Sequence, residues 1–600
     1  MPDTPQEIVC QGIAASSGYA IGRVFLNAND ENYFVEPVDC PIEEKDIPSE
    51  LQKFNNALAA ARQEILALKQ ELLSKVSTYD TAILDIQLSL IEDKQLTGGV
   101  EKMIRGEHKS ADYAFFKNAE KCINTISRIP DKYIKERIAD VRDIAVRVLG
   151  LMQNHSKGKM TFNDQRIVLS RDLSPSDTAA LDTSKVLGFA VETGSSTSHT
   201  AILARSMQLP AVLGIPGDFL EKVSNNDMLI LDGYTGKLIL HPSRETEAAY
   251  RRKMEETLIF IHKLAAENCL SAETRDGFVL QLSGNIEKVE DIENLHEAGG
   301  FGIGLFRSEY MFLNASGLPT EEEQFEIYCN MLEQMKNEPV VVRTLDIGGD
   351  KLDQALQRYA EPNPFLGLRG IRFCLKERRD IFRTQLRALM RASRYGNLKI
   401  MLPMVTCVEE IMEVRHLMNE IGEELREEHI EYDLHLPIGA MIETPAAALL
   451  AGQLAKVVDF FSIGTNDLVQ YTLAVDRTNE RLNYLDMPTH PAVLTLIANC
   501  IAVARKHNIW VSVCGQIAGD PRFTPLLVGL GVHELSMPPS QLGPVRRVVR
   551  SLQMADAELA AQEVLECESS EKALAISMQM LKDAAPEIAE LIAPGAVHKN

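Results

Sequence analysis

The C-terminal half of the chain alternates short apolar runs with amphipathic stretches: "GFVLQLSGNI", "GIGLFRSEY", "VVVRTLDIGGD", "LKIMLPMV", "PIGAMIETP", "FFSIGTNDL", "WVSVCGQIAGD" and "HELSMPPS". Runs this short and apolar read as buried strands, and the stretches between them as helices. About eight such units over roughly three hundred residues suit a (β/α)₈ barrel of the TIM type. All strands of a barrel end on one face, so residues remote in sequence meet there. Asn285, Arg307, Glu309, Arg343, Asp346, Glu443, Asn466, Asp467, Cys514, Gln516 and Ser536 stand where the runs end.

The first half has a different texture. Residues 8–38 are rich in glycine and strand formers. The stretch from 42 to 155 is helical in pattern, with Leu51, Phe54, Leu58, Ile65, Leu68 and Leu72 near helical spacing and Ser49 placed to cap the start. Strand signals return between 160 and 242. A chain of 600 residues needs several domains. The predicted organisation is a multidomain α/β protein. Residues 1–40 and 158–245 form a β/α domain, interrupted by an inserted helical domain at 41–157. A helical linker (246–270), the barrel (271–585) and a C-terminal tail (586–600) follow.

Composition narrows the class. The net charge of −23 repels phosphate backbones, so nucleic acid is not an expected partner, whereas a basic protein partner is allowed. Acidity for solubility alone needs no partner. Ten cysteines without a CxxC pair argue against a disulfide framework or a structural zinc site. The N-terminus lacks a signal-peptide pattern, and no apolar run is long enough to span a membrane, so a soluble, cytoplasmic protein with no membrane insertion is expected.

The residue types on the barrel face point to anion chemistry. Glu443 and Asp467 each follow an apolar run and are hard oxygen donors suited to Mg²⁺, although capping a helix or pairing with arginine is an equal reading. Arg307, Arg343, Arg369 and Arg477 supply planar forks that bind phosphate and carboxylate bidentately. Cys514, before Gly515, reads either as a core residue or as a proton donor or nucleophile. In "GSSTSHTAILARS", His199 stands at the start of a helical stretch, behind a glycine and a run of small hydroxyl residues. Taken alone it reads as a helix-cap or core histidine; the functional reading is that helical N–H groups there favour an incoming anion and the same positive end disfavours imidazolium.

These motifs resemble a known family over nearly the whole chain. "GSSTSHTAILARSMQLPAVLG" is similar to the phosphohistidine signature of enzymes that use phosphoenolpyruvate, and "DFFSIGTNDLVQYTLAVDR" to their second signature. "GIGLFRSEYMF", "RTLDIGGDK", "NPFLGLRGIR" and "CGQIAGD" fit the same barrel. Pyruvate phosphate dikinase and phosphoenolpyruvate synthase share these barrel motifs, but they also need an ATP-grasp domain for which this order leaves no room. The helical insertion with "ERIADVRDI" instead resembles the enzyme I family of the bacterial sugar phosphotransferase system.

The resemblance implies a two-step reaction. Phosphoenolpyruvate binds on the barrel with Mg²⁺ held by Glu443 and Asp467, while Arg307, Arg343, Arg369, Asn466 and Arg477 match positions that hold the substrate. His199 takes the phosphoryl group, Cys514 protonates the pyruvate enolate, and the phosphohistidine domain swings to the carrier HPr, docked on the helical domain. A homodimer through the barrel is implied as well. Three positions depart from the family pattern: Ser195 where a glycine is usual, Gln516 for glutamate, and Gln87 where relatives often carry histidine. Ser195 and Gln516 motivate one alternative, a regulatory protein that senses phosphoenolpyruvate with little turnover, and Gln87 bears on the carrier interface. A nitrogen-regulatory paralogue of the same reaction is a separate alternative.

Overall fold

The computed structural model describes residues 7–27, 36–73, 87–91, 93–127, 132–153, 164–173, 181–182, 184–193, 199–207, 209–313, 318–347, 363–476, 479, 482, 485 and 487–592. The chain divides into two compact units, residues 1–257 and 258–600.

The first unit is built on strands β1 (Ile8–Gln11), β2 (Ile13–Ser16), β3 (Tyr19–Asn27), β4 (Arg166–Ser170), β5 (Val186–Val191), β6 (Ala211–Leu213), β7 (Met228–Asp232) and β8 (Lys237–Leu240). They form one sheet in the order β1-β8-β7-β3-β4-β5-β6-β2. β3 and β4 lie side by side and parallel, with Arg23 opposite Arg166 and Asn27 opposite Ser170. A parallel pair needs a crossover, and here the crossover contains the helical insertion. Its main helices are Ile47–Leu73, Val100–Glu107, Ala111–Ser127 and Lys132–Met152. Phe54, Ala57, Ala61 and Ile65 recur on one face of the first helix and pack with Ile104, Phe115, Ile144 and Val148 into a core separate from that of the sheet.

The helix starts two residues before the capping position expected from the sequence. Pro48 occupies its first turn, where a missing N–H is tolerated, and Ser49 Oγ donates to the Asp46 carbonyl from inside the helix. The sheet buries both faces by alternation. Ile167 and Leu169 of β4 join one cluster with Val24, Phe219 and Leu229, while Val168 joins the other with Phe189 and Val191. The helix His199–Ser206 covers this second face through Ala201 and Ala204. His199 opens that helix. Its side chain, together with Ser195, Thr197 and Ser198, lies outside the described residues.

The helix Arg244–Ala266 carries the chain into the second unit. There β9 (Gln281–Ile286), β10 (Ile303–Arg307), β11 (Pro339–Arg343), β12 (Asn397–Leu402), β13 (Ile438–Ile442), β14 (Phe460–Ile463), β15 (Trp510–Val513) and β16 (Glu534–Met537) follow one another around a closed barrel, β16 pairing with β9. Leu305, Val341, Met401, Met441, Phe460 and Cys514 fill the inside against Trp510. Their strand neighbours Phe306, Val340, Val342, Ile400, Ile442, Phe461 and Val513 pack outward under the helices. The segment expected to be a tail from 586 is a packed helix over Pro586–Ile592. Ile588 and Ala589 are fully buried in the barrel's outer core, because the apolar residues of "PEIAELI" fall on one helical face. All ten cysteines are free thiols. Among the described residues no helix is long and apolar enough to cross a membrane.

Candidate active site on the barrel face

Alternation brings the chemistry to the strand ends. Val341 and Met441 are in the inner layer, so Arg343 and Glu443, two residues on, point the same way at the rim. Asn466 and Asp467 stand in the first turn of the helix Thr465–Leu473, after β14, rather than at the strand end itself.

The arginines and acids form one alternating row. Arg343 Nη2 donates to Glu309 Oε1 at 2.6 Å, and its Nη1 lies 3.2 Å from Asp346 Oδ2. Arg369 grips Asp346 with two bonds, Nε to Oδ1 at 3.1 Å and Nη2 to Oδ2 at 3.0 Å. Its Nη1 donates to Asp467 Oδ1 at 2.7 Å and to Tyr471 Oη at 3.3 Å. No member of the row Glu309, Arg343, Asp346, Arg369, Asp467 is more than 7% exposed. Burial works against both guanidinium charges. The surrounding carboxylates outweigh it and raise both pKa values: Glu309, Asp346 and Glu443 around Arg343, Asp346 and Asp467 around Arg369.

Glu443 is 1% exposed, and its Oε1 accepts from Met404 N at 2.6 Å. Met404 takes a φ of 58°, a left-handed backbone that side-chain-bearing residues rarely adopt. Burial, then the charges of Asp467 and Asp346, push the Glu443 carboxyl up to about 8. Carboxylates crowded in this way are a site that a divalent cation would relieve, so the donor set fits the metal suggested by the sequence. Among the described residues no three His, Cys, Asp or Glu side chains are grouped closely enough to hold a metal by themselves. Mg²⁺ commonly takes one or two carboxylates and completes its shell with water and substrate.

Cys514 is buried beneath this row. Ser462 Oγ donates to its sulfur at 3.3 Å, and burial pushes the thiol up to about 11. Asn285 Nδ2 donates to the Cys514 carbonyl at 3.1 Å, and Asn285 Oδ1 accepts from Ser536 Oγ at 2.5 Å. Asn466 Oδ1 accepts from the backbone N–H of Gln516 at 3.0 Å, so that position holds Asn466 through its main chain while its side chain is exposed. Arg307 stands at the more open rim, with Nη1 donating to Glu287 Oε1 at 3.0 Å. Arg477 lies outside the described residues. Gln87 is fully buried in the helical insertion, where its Nε2 donates to Asp143 Oδ2 at 2.8 Å.

Sequence reasoning did not single out Ser462 or Tyr471. Ser462 was findable by counting back along β14. Tyr471 follows Asp467 by four residues on one helix, the spacing that places two side chains on one face.

A barrel whose C-terminal face carries buried arginines interleaved with acids, above a protonated thiol, is matched by comparison with known proteins. Residues 262–554 match the model for the phosphoenolpyruvate-binding domain of phosphoenolpyruvate-utilising enzymes. Residues 11–137 match the N-terminal domain of that class, and 162–236 its mobile domain. The chain is therefore a phosphoenolpyruvate-utilising enzyme by class. More narrowly, it belongs to the phosphoenolpyruvate–protein phosphotransferase family. It is 41% identical over 579 residues to such an enzyme of Bacillus sp. (strain S), covering 95% of this chain and 98% of the relative. It is 38% identical to that of Bacillus subtilis (strain 168), covering 95% and 99%.

Proposed function

We propose that this chain takes the phosphoryl group of phosphoenolpyruvate onto His199, releases pyruvate, and passes the group to a histidine of an HPr-type carrier in the sugar phosphotransferase system. The observation that carries this reading is the buried row Glu309–Arg343–Asp346–Arg369–Asp467 on the barrel face. Arg307, Arg343, Arg369, Asn466 and Arg477 bind the phosphate and carboxylate of the substrate. Arg343 and Arg369 are already fixed by carboxylates, so little reorganisation is needed as charge shifts in the transferring group.

Glu443 and Asp467 would hold Mg²⁺, which when bound neutralises charge on the phosphoryl oxygens. The imidazole of His199 forms the N–P bond as the bond between phosphorus and the enol oxygen breaks. The electron pair leaves with pyruvate enolate, and Cys514 donates the proton to its methylene carbon. A thiol with its pKa near 11 carries that proton at neutral pH. A cytoplasmic location and a homodimer through the barrel belong to the same proposal and are supported by family membership.

The test is incubation of the full chain with phosphoenolpyruvate and Mg²⁺. The expected product is an acid-labile, base-stable phosphoprotein that forms on the parent and not on His199→Ala. Full phosphorylation of His199→Ala would overturn the assignment.

A further inference from the structure

The end of β11 leaves the barrel ladder, and its backbone must find partners elsewhere. Thr344 N still bonds to Met401 O of β12 at 2.9 Å. The next two N–H groups have side-chain acceptors. Leu345 N donates to Gln385 Oε1 at 2.9 Å, and Asp346 N donates to Glu309 Oε1 at 3.2 Å. Gln385 comes from the helix Arg379–Ala392 and is fully buried. Its amide nitrogen donates to Ser308 Oγ at 3.0 Å and to Tyr328 Oη at 3.2 Å, both fully buried. Both amide protons and the carbonyl oxygen are used. A satisfied buried polar network holds one arrangement where apolar packing would tolerate several.

The partners of Gln385 are adjacent in sequence to the residues that matter. Ser308 lies between Arg307 and Glu309, and Leu345 precedes Asp346. One amide thus ties the end of β10 to the end of β11. Those two ends must keep register for Glu309 Oε1 to reach both Arg343 Nη2 and Asp346 N.

We infer that Gln385 is a positioning residue for phosphoenolpyruvate binding: by bridging Ser308, Tyr328 and Leu345 it aligns the Glu309–Arg343–Asp346 cluster. The inference rests on the reading above that this cluster holds the substrate. Gln385→Leu fills similar volume but makes none of the three bonds. Gln385→Glu keeps an acceptor for Leu345 N, toward which the Ser308 and Tyr328 hydroxyls can turn as donors.

The experiment titrates phosphoenolpyruvate with Mg²⁺ calorimetrically into the full chain, in a His199→Ala background that prevents turnover. Thermal unfolding is followed in parallel. Gln385→Leu is expected to weaken binding about ten- to a hundred-fold, the range a small misplacement of binding groups produces. Gln385→Glu should restore most of it. The triple variant Ser308→Ala/Tyr328→Phe/Gln385→Leu removes the stranded hydroxyls, and should regain thermal stability while binding stays weak. Binding that recovers with stability, or that never weakens in Gln385→Leu, would overturn the inference. Arg343→Lys is the control. If it leaves binding unchanged, the substrate reading fails and this inference with it. If it weakens binding while Gln385→Leu does not, only this inference fails.

Discussion

Arg369 Nη1 donates to Asp467 Oδ1 at 2.7 Å across the barrel face, although 98 residues separate the two. The same guanidinium is bidentate on Asp346. An arginine proposed to hold substrate is thereby in direct contact with an acid proposed to hold the metal. Substrate and cation binding are expected to be coupled through it.

Arg369→Lys keeps the charge and loses the fork. We expect kcat/KM for phosphoenolpyruvate to fall about 30-fold or more, equivalent to ~2 kcal/mol for disturbing a buried, hydrogen-bonded charge pair. Arg369→Ala should also unfold at lower temperature, because it strands Asp346 and Asp467 in the interior. Steady-state kinetics and thermal melts check both.

Glu443→Gln and Asp467→Asn are expected to lower Mg²⁺-dependent phosphorylation by about two orders of magnitude, as loss of a proposed cation ligand should. Chelation of the parent should do the same without unfolding it. Glu443→Gln removes one of several crowded carboxylates, so its melting temperature in metal-free buffer should equal or exceed that of the parent. Phosphoprotein yield and calorimetry are the measurements.

Cys514→Ala should still form the phosphoprotein but lose control of enolate protonation. In D₂O, with phosphoenolpyruvate labelled stereospecifically at the methylene carbon, the parent should deliver deuterium to one face. With tritium as the label, the variant should give pyruvate whose CHDT methyl group is racemic, trapped by reduction for analysis. Burial holds the parent thiol protonated up to about pH 11, so its stereoselectivity should be flat between pH 6 and 9.

Tyr471 donates its hydroxyl proton to the Phe365 carbonyl at 2.5 Å and accepts from Arg369 Nη1 at 3.3 Å. Tyr471→Phe should cost about 1 kcal/mol of stability, the net worth of one such bond. It should raise KM for phosphoenolpyruvate several-fold with a smaller change in kcat, because it loosens Arg369 and not the reacting atoms. Denaturant melts and initial rates test the two parts.

Asp276 is held down to about 2, first by the N–H of Met554 and then by the Thr274 hydroxyl. Its folded pKa lies below the unfolded value near 3.9, so its contribution is complete above that value and is lost as pH falls through about 2. Asp276→Asn should therefore lower the melting temperature at pH 6. The difference from the parent should shrink between about pH 4 and pH 2.

Where several candidate side chains fall along their strands was legible before the fold. The period of two along a strand makes Val341 and Arg343, or Met441 and Glu443, share a direction, and that follows from the backbone. The position of His199 at the head of a helix was legible for the same local reason. Ser49 as a cap was misplaced because Pro48 starts the helix earlier, and the segment after 586 was read as a tail because its apolar face is only one short helix long.

The sequence by itself determined the strand and helix periods and which polar residues follow each strand, because these depend on local backbone geometry and burial. Only the tertiary structure decided which arginine meets which acid. It showed that Arg369 spans Asp346 and Asp467, that Glu309 serves both Arg343 and Asp346, and that Gln385 reaches in from a neighbouring helix to Ser308 and Leu345. Those pairings depend on where loops and helices land around a closed barrel, and no spacing along the chain encodes that distance.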